Sequence, residues 1–298
     1  MTRISAISFL IITVMFATPV LAQERVDKKL EAKIKSLTAG FEGDIGIFIK
    51  CLRTGKTAAL NADTIFPTAS MIKIPILVGI MDKIQKGELT YHQPLIYRDS
   101  LLYAGEDVLG SFKQDEKIEL GRVIMLMLTL SDNTASLWLQ SLAGTGKRIN
   151  EMMDSLGLKY TRVNSRTPGR ESNRTIYGWG QTSPREMVIL MEKIYNGEVI
   201  NKNISDKMLR LLGRNFNDDH AINAIPPSIF VASKNGEVDQ SRSETLLVMA
   251  PHGPYIFSII TKNQVDRSWD PKNAGWVLAS KLSALLWNYF EPNLNRGK

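Results

Sequence analysis

Apolar positions recur along this chain with several different patterns, and each pattern predicts an element. Ile4 to Phe16 is an almost unbroken apolar run behind Arg3, closed by the small-residue site Val20-Leu21-Ala22. That is the composition of a secretory signal over residues 1–22, its run too short for a comfortable membrane span. An uncleaved anchor is the rival reading. Gly43 to Leu52 reads as a strand, followed by a turn at Thr54-Gly55 and a second strand near Ala58 to Leu60. Met71 to Lys86 is apolar on nearly every face, as expected of a helix buried in a large core, and Pro75 is tolerable because it falls near the helix start. This places Ser70 at a helix N-terminus, where free amides and the dipole favour developing negative charge.

Glu119 to Leu130 predicts a second strongly apolar helix, and Thr134–Leu142, Lys147–Leu156 and Pro184–Tyr195 predict three more. Between Lys159 and Pro184 lies a long stretch rich in Arg, Gly, Ser and Thr, a loop of the length that usually carries function. The last third changes period. Segments beginning at Ile229, Thr245 and Ile256 alternate as three antiparallel strands, and Ala274 to Tyr289 closes the chain as an amphipathic helix. Strands at both ends around a helical middle imply a mixed α/β (α+β) fold with the two ends paired in one sheet. Residues 23–64 and 215–298 are expected to form an α/β lobe and residues 65–214 an all-helical one.

Composition changes this picture little. Hydrophobic content of 44% and charged content of 22% fit a globular chain with one large core. Cys51 is the only cysteine, which excludes an intramolecular disulfide and reads as a small buried apolar residue. The residue directly after Ala22 is Gln23 rather than a cysteine, which argues against lipid anchoring there. The formal charge of +7 could suit nucleic acid, but no zinc finger, RNA-binding signature or aromatic-interleaved basic tract accompanies it. The three histidines, His92, His220 and His252, sit in contexts that suggest neither a metal cluster nor a Ser-His-Asp triad. No cofactor, metal or nucleic-acid partner is expected.

Chemistry is concentrated in three short motifs that follow one another: Ser70-Met-Ile-Lys73, Ser131-Asp132-Asn133 and Lys234-Asn235-Gly236. Each alone has an ordinary reading, as a chance spacing, a helix cap or a strand end. Together they supply a nucleophile, its activator, a proton relay and an anion anchor. A serine hydroxyl attacks a carbonyl only when a neighbouring base takes its proton, and a lysine three residues on lies one helical turn away on the same face. Burial beside a second cation would lower that lysine's pKa and make it such a base. With Phe66-Pro-Thr-Ala-Ser-Met-Ile-Lys-Ile-Pro, Ser131-Asp-Asn-Thr-Ala and Ala224-Ile-Pro, the chain resembles the class A β-lactamase family over roughly Leu37 to Trp287.

The resemblance implies the serine β-lactamase and penicillin-binding transpeptidase-like fold, with the active site between an α/β lobe and an all-helical lobe. It implies that Ser70 attacks a lactam carbonyl, Lys73 helps deprotonate it, and Ser131 passes a proton to the departing nitrogen. Asn133 would bond the acylamide side chain. Lys234, with Asn235 and Gly236, would hold the relay and the substrate carboxylate, and the amides of Ser70 and Glu237 would form the oxyanion hole. The expected substrate is a β-lactam or a cell-wall peptide, the expected state a monomer, and the expected place the periplasm or the medium.

Two departures stand out. Counting through the family's Ω loop puts Thr167 where its glutamate should be, before Pro168, and Glu171 where its asparagine should be. Threonine is no general base at neutral pH. Glu171, the only carboxylate between Ser155 and Arg185, could replace the base, or could merely pair with Arg170 or Arg174. The Thr167-Pro168 bond is a candidate cis peptide. In the third motif Asn235 stands where the family has a hydroxyl, and strand alternation sets Glu237 on the same side, where it would repel an anion unless Arg242 offset it. Three activities remain open: a β-lactamase working through Glu171, a D,D-peptidase or esterase-like acyl hydrolase, and a penicillin-binding module that stays acylated.

Overall fold

The computed structural model describes residues 25–105, 107–213 and 215–292. The expected signal segment, residues 1–22, lies outside them. The chain enters through β1 (Arg25–Val26) and α1 (Lys28–Leu37), whose start is capped by Asp27 accepting from the Leu30 amide at 3.1 Å. Next come β2 (Asp44–Cys51) and β3 (Lys56–Leu60), then the short β4 (Phe66–Pro67) and a 3-10 turn, Ala69–Ile72, that feeds α2 (Lys73–Gln85). Pro75 falls in the first turn of α2, where its missing N–H costs no helical bond.

The helical middle follows: β5 (Pro94–Ile96), β6 (Lys117–Glu119), α3 (Leu120–Thr129), α4 (Asn133–Leu142), α5 (Thr145–Ser155) and β7 (Arg162–Val163). It continues through α6 (Glu171–Tyr177), β8 (Gly180–Thr182), α7 (Pro184–Asn196) and α8 (Lys202–Leu212). The chain returns in β9 (Val231–Val238), β10 (Ser241–Val248) and β11 (Tyr255–Lys262), and α9 (Ala274–Phe290) ends it.

Six strands form one sheet in the order β1-β3-β2-β11-β10-β9, so the N-terminal hairpin pairs with the C-terminal meander through β2 and β11. Alternation along β2 sends Ile45, Ile47 and Ile49 to one core, shared with Leu30 and Ile34 of α1 and with Trp276, Leu282 and Leu286 of α9. Phe48 points to the other core, among Met71 and Ile72 of the 3-10 turn, Ile74 to Met81 of α2, Leu190 and Met191 of α7 and the helices beyond. Among the described residues, no helix is long and apolar enough to cross a membrane.

Three expectations need amendment. The polar stretch 159–184 is not a bare loop: it holds α6 between the short strands β7 and β8. Helix α8 went unanticipated because the helix reading stopped at Tyr195, although Ser205, Met208 and Leu212 do line its buried side. No cis peptide bond occurs among the described residues, so Thr167–Pro168 is trans.

Candidate active site

The 3-10 turn before α2 presents Ser70 at the rim of the core, and the next turn buries Lys73 completely. Ala69 holds a left-handed backbone, φ +44°, an unfavourable conformation for a residue with a Cβ that surrounding contacts must maintain. The Lys73 ammonium nitrogen lies 2.9 Å from Ser70 Oγ, 2.9 Å from Ser131 Oγ and 2.9 Å from Asn133 Oδ1, and it also meets the Ser131 carbonyl. Four oxygens surround a group with at most three protons to donate. An ammonium donating three, or a neutral amine donating two and accepting one from a hydroxyl, bonds three of the four at a time, so the group shares its contacts among them. Burial, then the nearby Lys234 charge, pushes the Lys73 pKa well below its ordinary value, against weaker support from Asp107 and Asp132.

Ser131 reaches Lys73 because its own backbone is left-handed, φ +59°, just before α4. Two carboxylates hold it there. Asp132 caps α4 by accepting from Ala135 N at 2.7 Å and also accepts from Leu109 N at 2.8 Å. Asp107 accepts from the amides of Asn133 and Thr134 and from the Thr134 hydroxyl, at 2.8–3.0 Å. The Asp132 side chain is buried, which raises its pKa despite those two amides.

The third motif approaches from the sheet. Lys234 lies in the middle of β9 rather than at its end, since the strand runs on to Val238. Its buried ammonium donates to the Asn235 carbonyl at 2.9 Å and to Asn235 Oδ1 at 3.0 Å. Gly236 packs so tightly on the 3-10 turn that a Cβ there would sit 2.4 Å from Ser70 N and 2.9 Å from Thr68 O. Ser243 of β10 locks this contact, donating to Thr68 O at 2.9 Å and lying 3.1 Å from the Gly236 carbonyl. Burial lowers the Lys234 pKa to about 7, opposed by Glu244 and Glu237, and raises that of Glu244 to about 7.

Glu237 pairs in register with Arg242 across the hairpin. Its Oε2 accepts from Trp276 Nε1 at 3.3 Å and lies 3.6 Å from Arg242 Nε. The Arg242 terminal nitrogens donate to the carbonyls of Val238, Ser241 and Ser268.

Between the two halves opens a cleft of about 600 Å³ lined by Ser70, Asn133 and Glu237, with Tyr103 and Trp179 on one wall and Trp269 on another. The Tyr103 and Trp179 rings meet edge to face at 5.0 Å. Glu171 is not among the lining residues. It is exposed at the first position of α6, and its Oε1 accepts from Gly169 N at 3.1 Å. Arg170 binds Asn164 Oδ1 and Gln181 Oε1 instead of Glu171. Thr167 is buried, its hydroxyl donating to Ser165 O at 2.9 Å. The fold thus brings Ser70, Lys73, Ser131 and Asn133 into one bonded group, sets Lys234, Asn235, Gly236 and Glu237 against it, and leaves Glu171 apart.

Sequence reasoning missed Asp107, Glu244 and Trp276, which act on the site from far along the chain and carry no motif. Asp132 does carry a signal, as the middle residue of its motif, though the motif alone does not show that its carboxylate caps α4.

Comparison with known proteins gives the family and the fold. The model of the beta-lactamase enzyme family matches residues 29–290. Beta-lactamase VEB-1 of Pseudomonas aeruginosa is 20% identical over 94% of this chain and 96% of its own length. A beta-lactamase of Streptomyces fradiae is 24% identical over 87% and 85%. Among solved structures, PBP-A superposes with a TM-score of 0.80 at 26% identity, covering 90% of this chain and 98% of that one. A mutant of PBP-A, solved as an acyl-enzyme complex with penicillin G, superposes equally well over 91% of this chain and 100% of that one.

Proposed function

Because the chain belongs to the beta-lactamase enzyme family, we propose that it is a serine hydrolase of class A type that opens β-lactam rings through an acyl-enzyme on Ser70. The observation that carries this reading is the buried Lys73 amine, 2.9 Å from both Ser70 Oγ and Ser131 Oγ. Lys73 takes the Ser70 proton as Oγ bonds to the lactam carbonyl carbon. The amides of Ser70 and Glu237 receive the oxyanion, a contribution of roughly 3 kcal/mol per donor in such sites. As the C–N bond breaks, the proton passes from Lys73 through Ser131 to the lactam nitrogen. Lys234 and Asn235 hold the substrate carboxylate, and Asn133 holds the acylamide. Export through residues 1–22 would deliver this activity to the periplasm or the medium.

Release of the acyl group needs an activated water. Glu171 is the proposed base, since it is the only carboxylate of the 156–184 stretch and opens α6 beside the cleft-lining Ile176 to Trp179. To act it must leave the Gly169 amide and turn inward. Its present position favours a second reading, in which acylation is followed by slow release, as in a penicillin-binding protein with little turnover. Incubation with a chromogenic cephalosporin, followed by optical turnover and intact mass, separates the two. The first reading expects steady turnover that falls at least ~100-fold in Glu171→Gln while the Ser70 adduct accumulates. A persistent adduct in the unaltered protein sinks it in favour of the second.

A further inference from the structure

Glu237 is the only carboxylate among the described residues that line the cleft. Its side chain is 41% exposed, and only Oε2 is engaged, by Trp276 Nε1 and the edge of Arg242. Arg242 itself is 1% exposed, and its terminal nitrogens are taken by three backbone carbonyls, so it fixes the carboxylate without covering Oε1. Trp269, 63% exposed, lines the same cleft, and its ring lies 5.2 Å from the Arg242 guanidinium that Glu237 also contacts. A fixed carboxylate beside an open indole is an arrangement that binds cations, through charge and through the ring face. Lys262, the one lysine of the lining, sits over the Phe66 ring at 5.0 Å and donates to Ile65 O.

The anion side of the cleft is weak by comparison. Lys234 is the expected carboxylate anchor, yet Glu244 and Glu237 both act on its charge, and Glu244 is buried with one oxygen unpartnered. A substrate bearing a carboxylate alone meets a cation already countered by two acids. A substrate that also carries a cation meets a complementary group for each charge.

We propose that Glu237 makes this site selective for acyl donors bearing a cationic group, an ammonium or a pyridinium, beyond the scissile carbonyl. The inference rests on acylation of Ser70 and names the substrate class of that site. The probes are two cephalosporins with the same thienylacetyl side chain, one carrying an acetoxymethyl and the other a pyridiniomethyl group at C3. Second-order acylation rates of Ser70 are read as kcat/KM of lactam opening where the adduct turns over, or by intact mass where it persists, for the unaltered protein and for Glu237→Gln, which preserves an acceptor for Trp276.

The ratio of pyridinio to acetoxy rates should fall roughly five- to tenfold in Glu237→Gln, the size of a half-exposed charge pair at close range. In the unaltered protein the same ratio should shrink as salt rises from 0.01 to 1 M, the range over which screening shortens from ~30 to ~3 Å. A ratio unchanged by both the substitution and salt overturns the selectivity while leaving acylation standing. Failure of both compounds to be opened or to form an adduct in both proteins overturns the acylation reading, and the selectivity with it.

Discussion

At the scale of single residues, the chemistry depends on how Lys73 is surrounded. Its pKa is lowered by burial first and by Lys234 second, so the neutral amine exists at a lower pH than for a free lysine. Acylation should therefore rise with pH through the Lys73 pKa and level off well before the ordinary lysine range, the deprotonated form being the active one. Lys73→Arg keeps the charge but removes the titration. Rapid-mixing acylation assays should show that variant slowed by ~10²–10⁴-fold with no rising limb. A variant whose rate still climbs with the same midpoint would remove Lys73 from the role of base. Ser-x-x-Lys was legible in the sequence as a spacing. The four oxygens around the amine, and the carboxylates of Asp107 and Asp132 behind Ser131, were not, because they come from segments 26–60 residues away.

At the scale of elements, the site is a contact between a strand and a turn. β9 lies against the Ala69–Ile72 turn through Gly236, and Ser243 of β10 binds the backbone of both. Gly236→Ala would push its methyl group into Ser70 N and Thr68 O, backbone atoms that cannot rotate away. The expected cost is ~1–3 kcal/mol of stability, as for other overpacked sites. Acylation should fall further than stability does, because the displaced strand carries one amide of the proposed oxyanion hole. Thermal melts beside adduct formation check this; an alanine variant that acylates normally would mean that the strand can shift without loss. The main helices and strands were readable from their periods to within a few residues. The α6 turn and the middle position of Lys234 in its strand escaped, since neither short polar helices nor strand ends are set by period alone.

At the scale of the whole molecule, the buried Lys234 and Glu244 side chains lie in the half of the sheet built from the C-terminal strands, and their ionisation is linked to folding. Glu244 is raised from 4.5 to about 7, so its contribution to stability is present below pH 4.5 and is lost as pH rises through about 7. Lys234 is lowered from 10.5 to about 7, so its contribution is present above pH 10.5 and is lost as pH falls through about 7. Together they predict a stability minimum near neutrality from this pair. Glu244→Gln should flatten the falling limb between pH 4.5 and 7 in denaturant titrations, and an unchanged profile would show that the pair does not set it.

The sequence by itself determined the mixed α/β class, the pairing of the two chain ends and the trio of motifs. Hydrophobic period and short-range spacing are local, and local physics decides them. Only the tertiary structure decided which groups surround the Lys73 amine, that Glu171 stands outside the cleft while Glu237 stands in it, and that Lys234 shares its charge with two acids. Those facts depend on distance and burial between segments far apart in the chain, quantities that no local pattern encodes.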